Sequence, residues 1–158
     1  MTSSRTSAGI LLWRRRDGRL EVLLGHPGGP FYAKKDADTW SILKGEFDPS
    51  EDPVAVARRE FEEETGHPAP AGPLLELGQV RQRGGKVVTA WAIEGDLDPA
   101  AAVSNTFEME WPPHSGKKQE FPEIDRVEWF DVPSARAKIR SAQIPFLDRL
   151  QAALKGLE

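Results

Sequence analysis

Residues 45–66 read GEFDPSEDPVAVARREFEEETG, and the way this segment folds decides the architecture around it. Asp52 can accept hydrogen bonds from the free N–H groups at the start of a helix. Pro53 suits the first helical position, where a missing N–H costs nothing. At the other end, Gly66 fits the left-handed position that closes a helix, and Pro68 prevents continuation. The segment predicts a helix over 53–65. At 100° per residue, Val54, Ala57, Phe61 and Thr65 share an arc of about 80° that should face a core. Glu60, Glu63 and Glu64 share an adjacent arc of about 100°, and Glu62 points to solvent.

Those carboxylates break two local rules. Acids near a helix C-terminus face the negative end of the macrodipole, and like charges one turn apart repel. A pair of Glu at a helix end would read as solvated surface. Three at positions i, i+3 and i+4 repel strongly unless cations sit among them, and rules broken without structural gain tend to mark functional sites. Mg²⁺ takes oxygen ligands and commonly binds carboxylates together with substrate phosphates. Such an ion would turn the repulsion into binding.

Outward from the helix, strands dominate. Residues 7–13 and 20–26 predict a hairpin turned by Asp17-Gly18. Residues 27–38 carry two Pro and two Gly and predict a loop. Residues 39–43 predict a short strand, 74–82 and 86–93 a second hairpin around Arg83-Gly84-Gly85, 105–111 and 126–130 further strands. Residues 112–123 predict a loop. Ile144, Leu147, Leu150 and Leu154 recur at helical spacing and predict a terminal helix over 143–155. Strands, helix, strands, helix is α+β order, not strict βαβ alternation.

The chain has 158 residues, enough for one domain, taken as residues 1–158, and too few for two. No apolar run approaches the ~20 residues a membrane span needs. The opening MTSSRTSAG lacks the apolar core of a secretory leader, so the expected location is cytoplasmic and no membrane partner is expected. Without Cys, disulfides, zinc–thiolate sites and thiol catalysis are excluded. A net charge of −4 argues against a stable nucleic-acid complex but admits a polyanionic small substrate whose contacts a metal mediates.

Residues 45–66 resemble the Nudix box: Gly, five residues, Glu, seven residues, Arg-Glu, an apolar residue, any residue, Glu-Glu, any residue, Gly, then an apolar residue. Gly45, Glu51, Arg59, Glu60, Phe61, Glu63, Glu64 and Gly66 fill it, and His67 stands where an aliphatic residue is usual. A chance match to its seven fixed types is on the order of 10⁻⁸ per window. The resemblance implies a mixed β-sheet between helices. It also implies a hydrolase that cleaves acid anhydrides in nucleoside diphosphate derivatives with Mg²⁺ or Mn²⁺, as a monomer or homodimer.

Carried over by position, the metal-holding set is Glu60, Glu63 and Glu64, with Glu51 auxiliary and Gly45 counted beside them through the tight turn it permits. Glu63, Glu60 and Arg59 join the catalytic set, and Glu120 and Glu123 are the later-loop candidates for general base. Arg59 lies where it can lean on Glu63 or on the preceding loop.

For substrate, WSILKGE resembles the diadenosine tetraphosphate hydrolase branch, although Ile42-Leu43 precedes the Lys where that branch usually has an apolar residue and Pro. Lys44, Arg81, Arg83 and Lys86 are candidate phosphate contacts. Phe31 and Tyr32 are candidates to stack on a base. Trp40, Trp91, Trp111 and Trp129 are read as core residues, and His26 and His114 as incidental. The alternative is a non-catalytic Nudix-fold module that senses a nucleotide or binds a protein.

Overall fold

An apolar run such as residues 7–13 suits a strand buried on both faces. In the computed structural model, which describes residues 6–157, it forms most of strand β1 (Thr6–Arg16). Residues 1–5, five of the nine in the opening read as lacking a leader, lie outside the described residues. Asp17 and Gly18, at φ 52° and 76°, turn the chain into β2 (Arg19–Pro27), antiparallel to β1 with Trp13 opposite Val22.

The strand predicted at 39–43 is displaced. Trp40 and Ser41 make isolated bridges to Ile139 and Gly25, and the ladder strand is β3 (Leu43–Glu46), antiparallel to residues Ser7–Ile10 of β1. Gly45 therefore lies inside a strand, not in a turn after one. Strands β4 (Leu75–Arg81) and β5 (Val87–Glu94) form the second hairpin, and β5 runs parallel to β1.

Strands β6 (Thr106–Glu110) and β7 (Lys118–Pro122) make a separate two-stranded sheet. This corrects the loop predicted over 112–123: KQEFP is exposed along most of its length, so no buried face wrote an apolar alternation into it. Strand β8 (Ile124–Asp131) pairs with β2. The order of the main sheet is β4-β5-β1-β2-β8, with β3 also on β1.

Helix α1 (Pro53–Thr65) has the predicted limits: Asp52 accepts from the Ala55 N–H, and Gly66 is left-handed at φ 76°. Its buried residues are Val56, Ala57, Phe61, Glu64 and Thr65, while Val54 is half-buried. The inward arc is rotated from the predicted one, and the rotation carries Glu64 inside. Helix α1 covers one face of the sheet, against Ala8, Ile10, Leu12 and Leu43. Helices α2 (Val132–Lys138) and α3 (Ile144–Gly156) cover the other, with Leu11, Leu24, Trp40, Phe146 and Leu150. Each such large side chain, fully buried, is worth about 1.5–3 kcal/mol. The result is the expected α+β architecture, a mixed sheet between helices.

Helix α2 is absent from the sequence reading, although Asp131, which caps it by accepting from the Ser134 N–H at 2.8 Å, and Pro133 in its first turn repeat the start signal of α1. Of the tryptophans, Trp40 is buried, and Trp91 and Trp129 are half-buried against the α1-side core. Trp111 belongs to neither core cluster, which corrects its reading as a core residue. Among the described residues, no helix is long and apolar enough to cross a membrane.

Candidate active site

The acidic end of α1 is built by its packing. Phe61 and Ala57 fix the helix against β1 and β3, and this rotation leaves Glu60 and Glu64 at the sheet and Glu63 at its rim. The Glu63 side chain is 42% exposed and that of Glu60 17%. Glu64 is 8% exposed as a residue.

Arg59 gathers the set. Its Nη1 is 2.9 Å from Glu51 Oε2, its Nη2 3.9 Å from Glu60 Oε1 and its Nε 3.8 Å from Glu63 Oε1. It thus leans on the loop and on Glu63 together. The other Glu51 oxygen accepts from the Asp48 N–H at 3.0 Å. That bond, followed by the Arg59 guanidinium, holds the Glu51 carboxyl below its ordinary range.

Inside, the balance reverses. Burial, then the negative charge of Glu63, raises the Glu60 carboxyl, with Arg59 opposing. Burial, then Glu60, pushes Glu64 up to about 8, and the Lys44 ammonium opposes that rise. Glu64 Oε1 is buried and has no hydrogen-bond partner among the described residues, a condition that costs about 1–3 kcal/mol and calls for an explanation.

Gly45 supplies a second observation. A Cβ built there would overlap the Glu60 carboxyl, so the glycine is required by the close approach of Glu60 to β3 and not by a turn. The orphaned oxygen and the glycine cradle both fit a hard divalent cation with carboxylate ligands. Among the described residues, no three acidic or imidazole side chains already stand together as an ion-holding group. Like charges one turn apart repel, and Glu60 and Glu63 lie 3.9 and 3.8 Å from the Arg59 guanidinium.

The two later candidates separate. The N–H of Asn105 donates to Glu63 O and the N–H of Glu123 to Asn105 O, both at 2.8 Å. This stitch ties Glu123 to the end of α1, and its charge acts on both Glu60 and Glu64. Glu123 is exposed, yet atoms crowding its carboxyl raise its pKa through burial alone. Glu120 instead lies on β7, exposed, opposite Glu108, with its nearest partner the Thr106 hydroxyl at 3.5 Å. Both were read as loop residues; Glu120 sits in a strand and Glu123 directly after it.

Lys44 is half-buried on β3. Burial and then the Arg140 charge lower its pKa, while Glu64 acts the other way. Arg83 and Lys86 border a cavity of about 280 Å³. Arg81, at the exposed end of β4, does not line it. Phe31 is 61% exposed and meets Trp111 edge-on at 5.6 Å. Tyr32 lies beneath Lys35 and Arg140, at 5.7 and 5.8 Å.

His26 is not incidental. It is buried, with Nδ1 2.9 Å from Asp125 Oδ1 and Nε2 2.6 Å from Lys35 O, and so anchors the 27–38 loop to β8. Lys35 lies nine residues on and Asp125 ninety-nine, so no helix or strand spacing marks the role.

A family model described as the NUDIX domain matches residues 3–150. Two curated relatives match in part: an octanoyltransferase of Myxococcus xanthus, 32% identical over 63% of this chain and 25% of that protein, and an 8-oxo-(d)GTP phosphatase of Mycolicibacterium smegmatis, 36% identical over 59% of this chain and 31% of that protein. The chain thus spans a quarter to a third of the length of these relatives. Among solved structures, a C. elegans Ap4A hydrolase binary complex superposes with a TM-score of 0.64 at 23% identity, covering 96% of this chain and 98% of that one, which is a likeness of fold.

Proposed function

The chain belongs to the Nudix family, and on that premise we propose that it is a divalent-metal-dependent pyrophosphohydrolase of nucleotide derivatives, acting through one domain of residues 1–158. The observation that carries the proposal is the buried, unpartnered Oε1 of Glu64 beside Glu60 on the helix face they share with Glu63. Dinucleoside polyphosphates and nucleoside triphosphates are the favoured substrates. The first rests on the sequence around Lys44, and the second is supported by the phosphatase relative. Glu60, Glu63 and Glu64 would hold Mg²⁺ or Mn²⁺, with Gly45 leaving the room. When bound, the ion supplies Lewis-acid charge against the diphosphate oxygens.

The chain's own groups do the rest. Arg59 is a positioning residue that fixes Glu51 and Glu63. The Lys44 ammonium offsets phosphate charge. Glu123, tied to the end of α1, accepts the proton of the attacking water; a carboxyl raised by burial is suited to that task at neutral pH. Water attacks one phosphorus in line, the new P–O bond forms, and the bridging oxygen leaves with the other phosphate.

The test is a panel of dinucleoside tetraphosphates, nucleoside triphosphates, sugar nucleotides and ADP-ribose, incubated with Mg²⁺ or Mn²⁺ and scored by product identity. Cleavage of a diphosphate linkage, lost on chelation, is expected. Inertness toward every anhydride with both ions would remove the proposal and favour a non-catalytic module.

A further inference from the structure

The cavity of about 280 Å³ at the turn between β4 and β5 carries two of the candidate phosphate contacts, Arg83 and Lys86, and a third cation that the sequence does not announce. Three cations line it: Arg83 and Lys86 from the turn, and Arg140 from the segment between α2 and α3. None of the three has an ion pair with a carboxylate among the described residues, whereas Arg14, Arg59, Arg126, Arg136 and Lys138 all do. Asp38 is the one acid in the lining, and its Oδ1 is engaged in accepting from the Ser141 N–H at 2.6 Å.

The walls are fixed. Gln143, fully buried, donates through Nε2 to Gln82 Oε1 at 2.8 Å and to Ser41 Oγ at 3.0 Å, and accepts from the Ile42 N–H at 3.1 Å. The Arg140 N–H donates to Trp40 O at 2.8 Å. Three segments remote in sequence are thereby locked around a space rimmed by unpaired positive charge. No aromatic side chain is in its lining, and Tyr32 already meets Arg140 at 5.8 Å. Its volume lies just under the ~300–1,000 Å³ of pockets that enclose a drug-sized ligand, which suits a phosphate group or two and not a nucleoside. The support of the cavity is continuous with the strand of the acidic site: Ile42, whose N–H Gln143 holds, and Trp40, whose carbonyl takes the Arg140 N–H, lead directly into β3, which carries Lys44 and Gly45.

We propose that this cavity is an anion subsite for the distal phosphates of an extended polyphosphate substrate, with Arg83, Lys86 and Arg140 as its donors. The inference deepens the pyrophosphohydrolase reading and rests on it for the identity of the substrate, but not for the binding of the anion. It selects, within the nucleotide class, molecules whose phosphate chain continues beyond the scissile linkage over molecules with two phosphates only.

Two measurements test it separately. In excess chelator, inorganic tripolyphosphate is titrated calorimetrically into the wild type and the Lys86→Ala/Arg140→Ala double variant, with Arg83→Ala as a second change at an exposed side chain. Binding to the wild type that weakens at least tenfold in either variant is expected, and Glu63→Gln should retain it. Equal affinity in the wild type and both variants, or no binding to the wild type, overturns the subsite whether or not the protein is an enzyme. In turnover with metal, the ratio of kcat/KM for a dinucleoside tetraphosphate to that for a two-phosphate substrate should fall at least tenfold in the double variant, through KM. An unchanged ratio means the cavity meets phosphates common to both substrates or none, and overturns the distal assignment.

Discussion

The protein concentrates charge of opposite sign in two places, and the two are built differently. At the end of α1, Glu60, Glu63 and Glu64 are crowded by a single helix, so their spacing is written in five consecutive residues. At the cavity, Arg83, Lys86 and Arg140 come from two segments more than fifty positions apart and meet only because Gln143 stitches their supports together. Both crowds carry repulsion that the fold does not cancel. Among the described residues, one leaves a buried Glu64 oxygen without a hydrogen-bond partner, and the other leaves three cations without an ion pair beside a single acid, Asp38. On the proposed reading the acidic crowd would take a cation and the basic one an anion, and a metal-borne polyphosphate would answer both.

The comparison breaks most severely at Glu63. Glu63→Gln should lower kcat by about 10³-fold, the scale on which loss of one charge-stabilising contact is felt in a transition state. Its melting temperature should hold or rise as like-charge repulsion is relieved. Unchanged turnover would take Glu63 out of the site. Gly45→Ala should follow. The added methyl meets the flexible end of Glu60, so stability falls by less than about 1 kcal/mol, whereas misplacing that carboxyl should cost about 10–100-fold in kcat. Parallel losses in melting temperature and activity would mean the glycine serves packing alone.

Glu64 sharpens the acidic half further. Its folded value near 8 lies above the ordinary 4.5. Between those values the folded, metal-free chain holds a proton that the unfolded chain has released, so this contribution to stability is complete below about 4.5 and is lost as pH rises through 8. In chelator, Glu64→Gln should gain on the wild type by about 2 kcal/mol or more between pH 5 and pH 8.5, read by denaturant titration. A constant difference across that range would place Glu64 in a far more polar setting. The smallest effect belongs to the opposite end of the helix: Asp52→Ala removes the cap bond to Ala55 and should cost about 1 kcal/mol with kcat within a factor of two or so. A large fall in kcat would show that the two ends of α1 are coupled.

What the sequence made legible follows the same division. Helix α1 has its limits in Asp52, Pro53 and Gly66, and its carboxylate face follows from the helical period. The rotation that buries Glu64 instead of Val54 depends on how Phe61 seats against the sheet, which no local pattern specifies. Strand β7 was missed because an exposed two-stranded sheet has no core face to impose alternation. Helix α2 was missed although Asp131 and Pro133 announce it. Arg140, His26 and the separation of Glu123 from Glu120 are tertiary facts, created by contacts with Trp40, Asp125 and Asn105 that lie well away along the chain.

The central claim is that the α1 carboxylates hold a divalent ion. Its most direct test is Mn²⁺ titration of the wild type and of Glu63→Gln and Glu64→Gln at pH 7.5, with proton release counted by repeating the calorimetry in buffers of different ionisation enthalpy. The account predicts saturable binding to the wild type with release of roughly three-quarters of a proton as Glu64 ionises from its value of about 8, at least tenfold weaker binding in both variants, and no release in Glu64→Gln. Equal Mn²⁺ affinity in all three proteins, or binding without proton release in the wild type, would contradict it.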